Sequence, residues 1–354
     1  MIACFPTFYP DELIYSLFAR YFVKSGYMGY ASAAEDLFEN KTTHPDIEFI
    51  NKLSDEVLEH LQMSMPMAEL IEKHTMFAYY GRFLPRERRQ QALEMLLKMD
   101  ERYHNLIYVT KSKSITRYLR YCPICAADDR RKYGETYWHR SHQLFGVNIC
   151  PVHSCILMNS LVEISSKTSP YLYSAEEMVP PAEEAVQKSS SLELCIAEYV
   201  YDVFHSPVDM QTDIPVGRFF HSKMEYTPYL SPRGEQRNMA LFFRDFVLFF
   251  KDVDNVPIKE QWQLQKMMCG DRLSTYEVSL VALFLRVPVN QLVKMRLPDK
   301  SQTEWFDERV RTLRVQGSTY PEIARKMRAP YDVVKSIGEG RYKTIMLLKR
   351  SVQQ

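Results

Sequence analysis

Glycine is scarce in this chain, 11 of 354 residues, so loops that cradle phosphate groups with bare backbone have little material. The pattern G-x-x-x-x-G-K-[ST] is missing, which removes a nucleotide-driven motor of the P-loop kind. H-E-x-x-H and G-x-S-x-G are missing too. There is no deaminase-type H-x-E with P-C-x-x-C, since His139 is followed by Arg140 and Ser141. Catalysis is therefore not expected. A zinc-dependent nucleic-acid hydrolase is a remote alternative that rests only on a surplus of histidines. Long apolar runs are lacking as well. The most apolar stretch, residues 241–250, is interrupted by Arg244 and Asp245 and is too short to span a bilayer. The first residues carry no basic segment followed by an apolar one, so no secretory signal is visible. No membrane partner is expected, and the expected location is the cytoplasm. Seven cysteines, an odd number, suit a reducing compartment better than a disulfide framework.

What is present begins with two tight pairs, Cys122 and Cys125, then Cys150 and His153. Each lies in a short proline-containing turn, Cys122-Pro123-Ile124-Cys125 and Cys150-Pro151-Val152-His153, so that the two side chains of a pair can converge on one ion. Thiolate and imidazole donors suit Zn²⁺ better than magnesium or calcium. Four protein donors leave no open position for a water nucleophile, so the zinc is read as structural. Buried cysteines that share this spacing by accident are the plain alternative. His139, His142 and Cys155 lie close enough in sequence to compete as ligands, or else to pack and orient.

Between the pairs run Tyr133-Gly134-Glu135, Trp138-His139-Arg140 and His142-Gln143-Leu144. With Tyr121-Cys122-Pro123 before them and Cys150-Pro151-Val152-His153 after, they resemble the zinc motif of TnsD/TniQ proteins, the target-site selectors of transposons. Near the N-terminus, Phe5-Pro6 and Pro10-Asp11-Glu12-Leu13-Ile14-Tyr15-Ser16-Leu17 through Arg20 resemble that family's opening helix. Glu72-Lys73-His74-Thr75 and Glu87-Arg88-Arg89 are similar to TnsD. The resemblance covers roughly residues 1–160. The chain departs from the family in being shorter than a full TnsD-type selector and in placing Ser154 after His153, where glycine is frequent. The resemblance implies a protein of the bacterial cytoplasm, associated with the nucleoid, that selects an insertion site and recruits an AAA+ ATPase regulator, TnsC-like. Partners would carry ATP hydrolysis and strand transfer, and the N-terminal helices would meet the ATPase. A variant within the family is a TniQ-type adaptor that receives its target from an RNA-guided (CRISPR) complex.

The formal net charge of +1 hides an uneven distribution. Residues 301–354 carry eleven Lys/Arg against six Asp/Glu, and residues 111–142 carry eight against three, so the remainder is acidic. Two basic regions on an acidic body point to nucleic acid as a partner, with solvated helix faces as the bland alternative.

Helical periodicity dominates the first 110 residues. Leu13, Ile14, Leu17, Phe18 and Tyr21 recur at intervals of three and four, with Pro10-Asp11-Glu12 as the expected helix start. Leu70, Ile71, His74 and Phe77, then Ala92, Met95, Leu96 and Met99, continue the pattern, and His74 is read as a core residue. Residues 161–190 and 207–234 read as connectors, with helix at about 192–204 and again from about 236.

The last third holds an internal repeat. Val281, Ala282, Leu285, Val287, Pro288, Leu292 and Met295 recur 42 residues later as Ile323, Ala324, Met327, Ala329, Pro330, Val334 and Ile337. Both copies match a helix-turn-helix core. In the second, the expected recognition helix offers Tyr331, Asp332, Lys335 and Ser336, with Arg341 and Lys343 beyond it. In the first, the same face offers Val289, Asn290, Val293 and Lys294, of which Asn290 and Lys294 can reach DNA. Arg328 stands in the second turn, where glycine is frequent. Arg130, Arg131, Lys132 and Arg140 of the zinc segment are further expected contacts to double-stranded DNA.

The expected fold is mainly α: a multidomain helical protein with a small zinc-binding module and C-terminal tandem helix-turn-helix units. The chain is long enough for two to four independent cores. The segments are an N-terminal helical domain (1–115), the zinc-binding module (116–160), a connector with helix (161–235), a helical domain with the first helix-turn-helix (236–300), and the second with a basic tail (301–354).

Overall fold

A computed structural model describes residues 5–107, 116–164, 170–181, 184–185, 191–254, 256–270 and 274–341. The described residues are mainly helical. The N-terminal block comprises α1 (Ile14–Ser25), α2 (Tyr30–Phe38), α3 (Asp55–Ser64), α4 (Met67–His74), α5 (Phe77–Tyr80) and α6 (Arg86–Leu97). Helix α1 is buried without a break from Ile14 to Phe22, which makes it the central rod of this block, and it stops at Gly26 in the left-handed conformation. Ser54 caps α3 by accepting from the Val57 N–H. As expected, His74 is a satisfied core residue. It is stacked 3.7 Å from the Phe8 ring, with Nδ1 2.7 Å from the Glu12 carbonyl.

One expectation is corrected here. Pro10-Asp11-Glu12 does not open α1; Asp11 takes φ 57° and Glu12 forms an isolated antiparallel bridge with His139. The backbone groups that a helix start would have used pair instead with a segment more than 120 residues away, through Leu13 N–H to Trp138 O (3.0 Å) and Arg140 N–H to Asp11 O (2.8 Å).

The middle of the chain holds β1 (Tyr118–Tyr121), α7 (Pro123–Tyr133) and β2 (Met158–Glu163), with β1 and β2 antiparallel in the register Arg120 to Asn159 and Tyr121 to Met158. The stretch read as a first connector contains the end of β2 and the short helix α8 (Ala175–Met178). After α9 (Ser191–His205), the stretch read as a second connector contains α10 (Val216–Lys223), whose Val216, Phe219 and Phe220 are buried. Gly217 lets α10 approach α12 (Gln261–Cys269) closely, because a methyl group there would collide with the Met268 backbone. Then come α11 (Met239–Phe249), α12 (Gln261–Cys269), α13 (Thr275–Phe284), α14 (Val289–Lys294), α15 (Gln302–Val315), α16 (Tyr320–Met327) and α17 (Tyr331–Gly338).

Buried apolar side chains from Leu13 to Met295 form one contiguous core. Helices α15, α16 and α17 enclose a separate small core of Phe306, Val310, Leu313, Ile323, Val334 and Ile337. This unit is tied to the body by a buried fork from Arg233 to Asp307 (Nε to Oδ1 2.8 Å, Nη2 to Oδ2 2.7 Å) and by Gln302, which accepts from the Tyr226 N–H.

The sequence repeat is also a geometric one. Between α13 and α14 stands Arg286 at φ 54°, and 42 residues on, between α16 and α17, stands Arg328 at φ 49°. Each closes its helix in the same way, with Val287 N–H to Ala282 O at 2.8 Å and Ala329 N–H to Ala324 O at 3.0 Å. Glycine is thus replaced by arginine without loss of the left-handed turn. The copies differ at the far end: α14 stops where Met295 turns left-handed at φ 37°, whereas α17 runs to Gly338.

Candidate metal centre

The donor atoms of Cys122, Cys125, Cys150 and His153 all lie within 4.8 Å of one another. Cys122 is the N-cap of α7 and Pro123 its first residue, where a missing N–H costs nothing, so one helical turn carries Cys125 back over Cys122. The first pair therefore sits on a helix start rather than in the free turn expected from its proline. The second pair sits in the turn after the bridge of Ile149 with Ile156. Ser154 closes that turn at φ 55°, which explains why glycine is frequent there. The Cys150 N–H bonds the Cys155 carbonyl at 2.8 Å.

His153 Nδ1 faces all three sulfurs, at 3.5 Å from Cys122, 3.2 Å from Cys125 and 3.8 Å from Cys150, and the Cys125 and Cys150 sulfurs are 3.8 Å apart. A tetrahedral zinc site sets sulfur to sulfur at about 3.8 Å and sulfur to nitrogen at about 3.6 Å. The residues present fit such an ion. The three cysteines are buried and His153 is partly exposed. Crowding polarises the thiols. Hydrogen bonds from Cys125 and Cys150 pull Cys122 down to about 3, while the contact with Cys122 pushes Cys125 far above the ordinary thiol range. The crowded sulfurs cannot all ionise by themselves, and a cation among them would let them do so, so the cluster can hold a metal ion.

Two consecutive carboxylates of α7 orient two histidines, a pair of roles the sequence reading missed. Asp128 lies 3.4 Å from His153 Nε2, the nitrogen turned away from the sulfurs. Asp129 bonds His139 Nε2 at 2.8 Å and accepts from the Thr136 hydroxyl. His139 is therefore engaged outside the donor set; burial acts to lower its pKa, but the Asp129 bond prevails and raises it. His142 is buried beside it, ring centroids 4.6 Å apart, and burial lowers its pKa. Cys155 is also outside the set, touching the Cys122 sulfur at 3.3 Å.

The segment between the pairs is clamped to the N-terminal block. Asp11 accepts from the Ser141 N–H at 2.9 Å and pairs with Arg140 at 3.2 Å and His205 at 3.1 Å. Burial raises the Asp11 pKa, but the His205 bond and the Arg140 charge outweigh it and hold the carboxyl well below the usual range. Glu135 gathers Arg20 (2.9 Å), Lys24 (2.7 Å) and the Tyr9 hydroxyl (2.9 Å). Trp138, fully buried, donates its indole N–H to the Tyr173 carbonyl.

Arg140 corrects an expectation. Read as a DNA contact, it is 5% exposed and donates to Asp11 and to the carbonyls of Glu72 (2.7 Å) and Thr75 (3.1 Å). The basic excess of residues 111–142 is largely spent the same way. Arg117 pairs with Glu48, Arg120 donates to the Val147 and Leu144 carbonyls, and Arg130 to Glu176 and the Val179 and Pro180 carbonyls. Arg131 stays exposed beside Asp128, and the Lys132 ammonium lies 4.8 Å over the Tyr133 ring. Lys111 and Lys113 lie outside the described residues.

The C-terminal residues expected at DNA are on the surface of the α15 to α17 unit. Tyr331 and Asp332 are exposed, and Lys335 and Ser336 half-buried. Lys335 stands 5.8 Å over the Tyr331 ring, and Arg341 pairs with Glu339 at 2.6 Å. Asn290 and Lys294 are exposed on α14. Lys343 lies outside the described residues. Among the described residues, no helix is long and apolar enough to cross a membrane.

With this geometry in hand, two comparisons bear on the chain. Residues 3–157 match the TniQ family model. Over 158 residues the chain is 31% identical to the Transposon Tn7 transposition protein TnsD of Escherichia coli, a match that covers 43% of this chain and 31% of that protein. The matched segment thus spans about a third of the relative's length.

Proposed function

We propose, from the premise that residues 3–157 belong to the TnsD/TniQ family, that this protein acts in transposition as a target-site selector that binds a specific duplex DNA site and recruits an AAA+ regulator of the TnsC kind. The regulator and its partners supply ATP hydrolysis and strand transfer, and this chain supplies an address. The observation that carries the DNA-binding half is the repeat: two helix pairs with the same left-handed arginine, the same closing hydrogen bond and a proline before each second helix. Such a pair is the core of a helix-turn-helix, which lays its second helix in the major groove. The unit of α15, α16 and α17, with a core of its own, is the better reader, with Tyr331, Asp332, Lys335, Ser336 and Arg341 facing the duplex and Lys343 following. Asn290 and Lys294 are a second, weaker contact, and Arg131 and Lys132 add phosphate contacts.

The cysteine and histidine cluster holds one structural zinc through Cys122, Cys125, Cys150 and His153. When bound, the ion neutralises the thiolates and pins the start of α7 to the turn at Cys150. The chain's own contribution is to orient His153 through Asp128 and to clamp the enclosed segment onto residues 10–12. In this reading the chain has five segments, residues 1–115, 116–160, 161–235, 236–300 and 301–354, of which the first four contribute to one core and the last has its own.

The test is duplex binding by the full chain. Lys335→Ala with Arg341→Ala weakens binding and lowers the salt slope by up to two phosphate contacts' worth, about 0.9 each. Unchanged binding and slope would refute direct reading by this helix and favour an adaptor that takes its target from an RNA-guided complex, which pull-down with that complex and with the ATPase would then decide.

A further inference from the structure

Four described cysteines and one histidine crowd the cluster, one donor more than a tetrahedral site takes. Cys155 is fully buried, its sulfur 3.3 Å from that of Cys122, while His153 Nδ1 occupies the fourth corner by facing Cys122, Cys125 and Cys150 together. Two features hold Cys155 there. Its carbonyl accepts the Cys150 N–H at 2.8 Å, and the left-handed Ser154 reverses the chain so that Cys155 follows the second pair back beneath the first. A sulfur in that position completes no shell and forms no disulfide in the described structure, where all six described cysteines are free.

We propose that Cys155 is the resolving thiol of a reversible oxidation site whose attacked sulfur is Cys122, and that a two-electron oxidant of the hydroperoxide class is its reagent. This rests on the reading of Cys122, Cys125, Cys150 and His153 as a zinc site. The Cys122 thiolate attacks hydrogen peroxide, the O–O bond breaks, hydroxide leaves, and Cys122 becomes a sulfenic acid. The Cys155 sulfur then attacks the Cys122 sulfur. An S–S bond forms, and the Cys155 proton leaves with the hydroxyl group as water. Two electrons pass from the two sulfurs to one peroxide, leaving one water and one hydroxide, and the hydroxide becomes a second water by taking a proton from solvent. The donor set falls from four to Cys125, Cys150 and His153, so the hold on the ion is lost together with the pin between α7 and the Cys150 turn. Cys122 is fully buried, so the reagent, little larger than water, would have to enter beside that turn, where Val152 is 64% exposed and His153 partly so.

The experiment uses the full chain, with metal content measured first by mass spectrometry. Wild-type protein treated with equimolar hydrogen peroxide releases zinc to a colorimetric chelator and yields a peptide cross-linked between Cys122 and Cys155. Dithiothreitol and fresh zinc reverse both changes. In Cys155→Ser, or Cys155→Ala should the first fold poorly, release is roughly tenfold slower and ends in sulfinic acid that dithiothreitol does not reverse. A cross-link between Cys122 and Cys125 instead, or variants that release zinc as fast and as reversibly as wild type, would overturn the proposal. Absence of zinc before oxidation would sink the metal reading on its own, and the cross-link map of the metal-free chain would still decide which sulfurs pair.

Discussion

Replacing Arg140 with methionine separates a structural from a DNA-binding role at the residue where sequence and structure disagree most. The guanidinium pairs with Asp11 at 3.2 Å, donates to the Glu72 and Thr75 carbonyls at 2.7 and 3.1 Å, and lies 4.7 Å over the Phe204 ring. Methionine fills much of the volume but makes none of these bonds. Two carbonyls lose a charged donor, and Asp11 is left with the Ser141 N–H and His205 as its remaining partners. Breaking a buried pair from one side costs about 3 to 5 kcal/mol. The partners left to Asp11 hold the expected loss near the lower end, at about 3 kcal/mol. That is a large share of the roughly 5 to 15 kcal/mol that holds a domain together. Trp138, two residues away and fully buried, is the natural probe, since the other two tryptophans, Trp262 and Trp305, are 52% and 44% exposed. Urea unfolding followed by Trp138 emission therefore moves to a clearly lower midpoint in Arg140→Met, and Arg140→Lys, which keeps the charge but not the fork, falls between. In whatever fraction remains folded, duplex affinity and its salt slope are unchanged. An unshifted midpoint with weaker DNA binding and a flatter slope would refute the buried-strut account and return Arg140 to the DNA face.

Three further outcomes follow from particular groups. The purified chain carries about one zinc, and Cys150→Ser or chelation at neutral pH unfolds the region around Trp138 rather than abolishing one activity; a metal-free, folded variant would contradict the site. Burial holds the His74 pKa down at about 4 against the Glu12 carbonyl bond, so between pH 6.5 and 4 the unfolded chain takes up a proton that the folded chain refuses. Stability is lost as pH falls through that window, by about 2 kcal/mol at pH 5; wild type and His74→Gln compared at pH 7 and 5 should diverge in slope, and parallel behaviour would count against it. Asp307→Asn loosens the fork from Arg233 that docks α15 on the body, and limited proteolysis should then cut faster within residues 296–300, all exposed except the half-buried Leu297; an unchanged cleavage rate would mean that the small core and Gln302 suffice.

What could be read from the chain in advance was whatever depends on near neighbours. The two ligand pairs, the helical stripe of α1 and each copy of the repeat are local patterns, and a pattern confined to one short stretch of chain survives in whatever fold encloses it. Even Arg328, an awkward residue for the turn, could not hide the repeat, because Arg286 holds the same left-handed conformation in the other copy. The misreadings share the opposite cause. Pro10-Asp11-Glu12 has every mark of a helix start, yet Trp138, Arg140 and Ser141 offer its backbone and Asp11 partners that no local window contains. The proline at 123 suggests a turn until its place as the first residue of α7 makes it a helix former. Helix α10 is hidden by prolines on either side and is held by burial of Phe219 and Phe220 rather than by its own propensity. Charge is the least legible quantity of all. Of the basic residues described between 116 and 142, Arg117, Arg120, Arg130 and Arg140 are bound to carboxylates or carbonyls of this chain, and only a partner's position, not a residue's type, distinguishes such a strut from a free hand for DNA. The N-terminal two-fifths is thus a frame in which buried arginines such as Arg20 and Arg140 act together with an extensive apolar core in fixing one segment to another. On the proposed reading, the cations available to nucleic acid are those left exposed, among them Lys294 on α14 and Arg325 and Lys326 on α16.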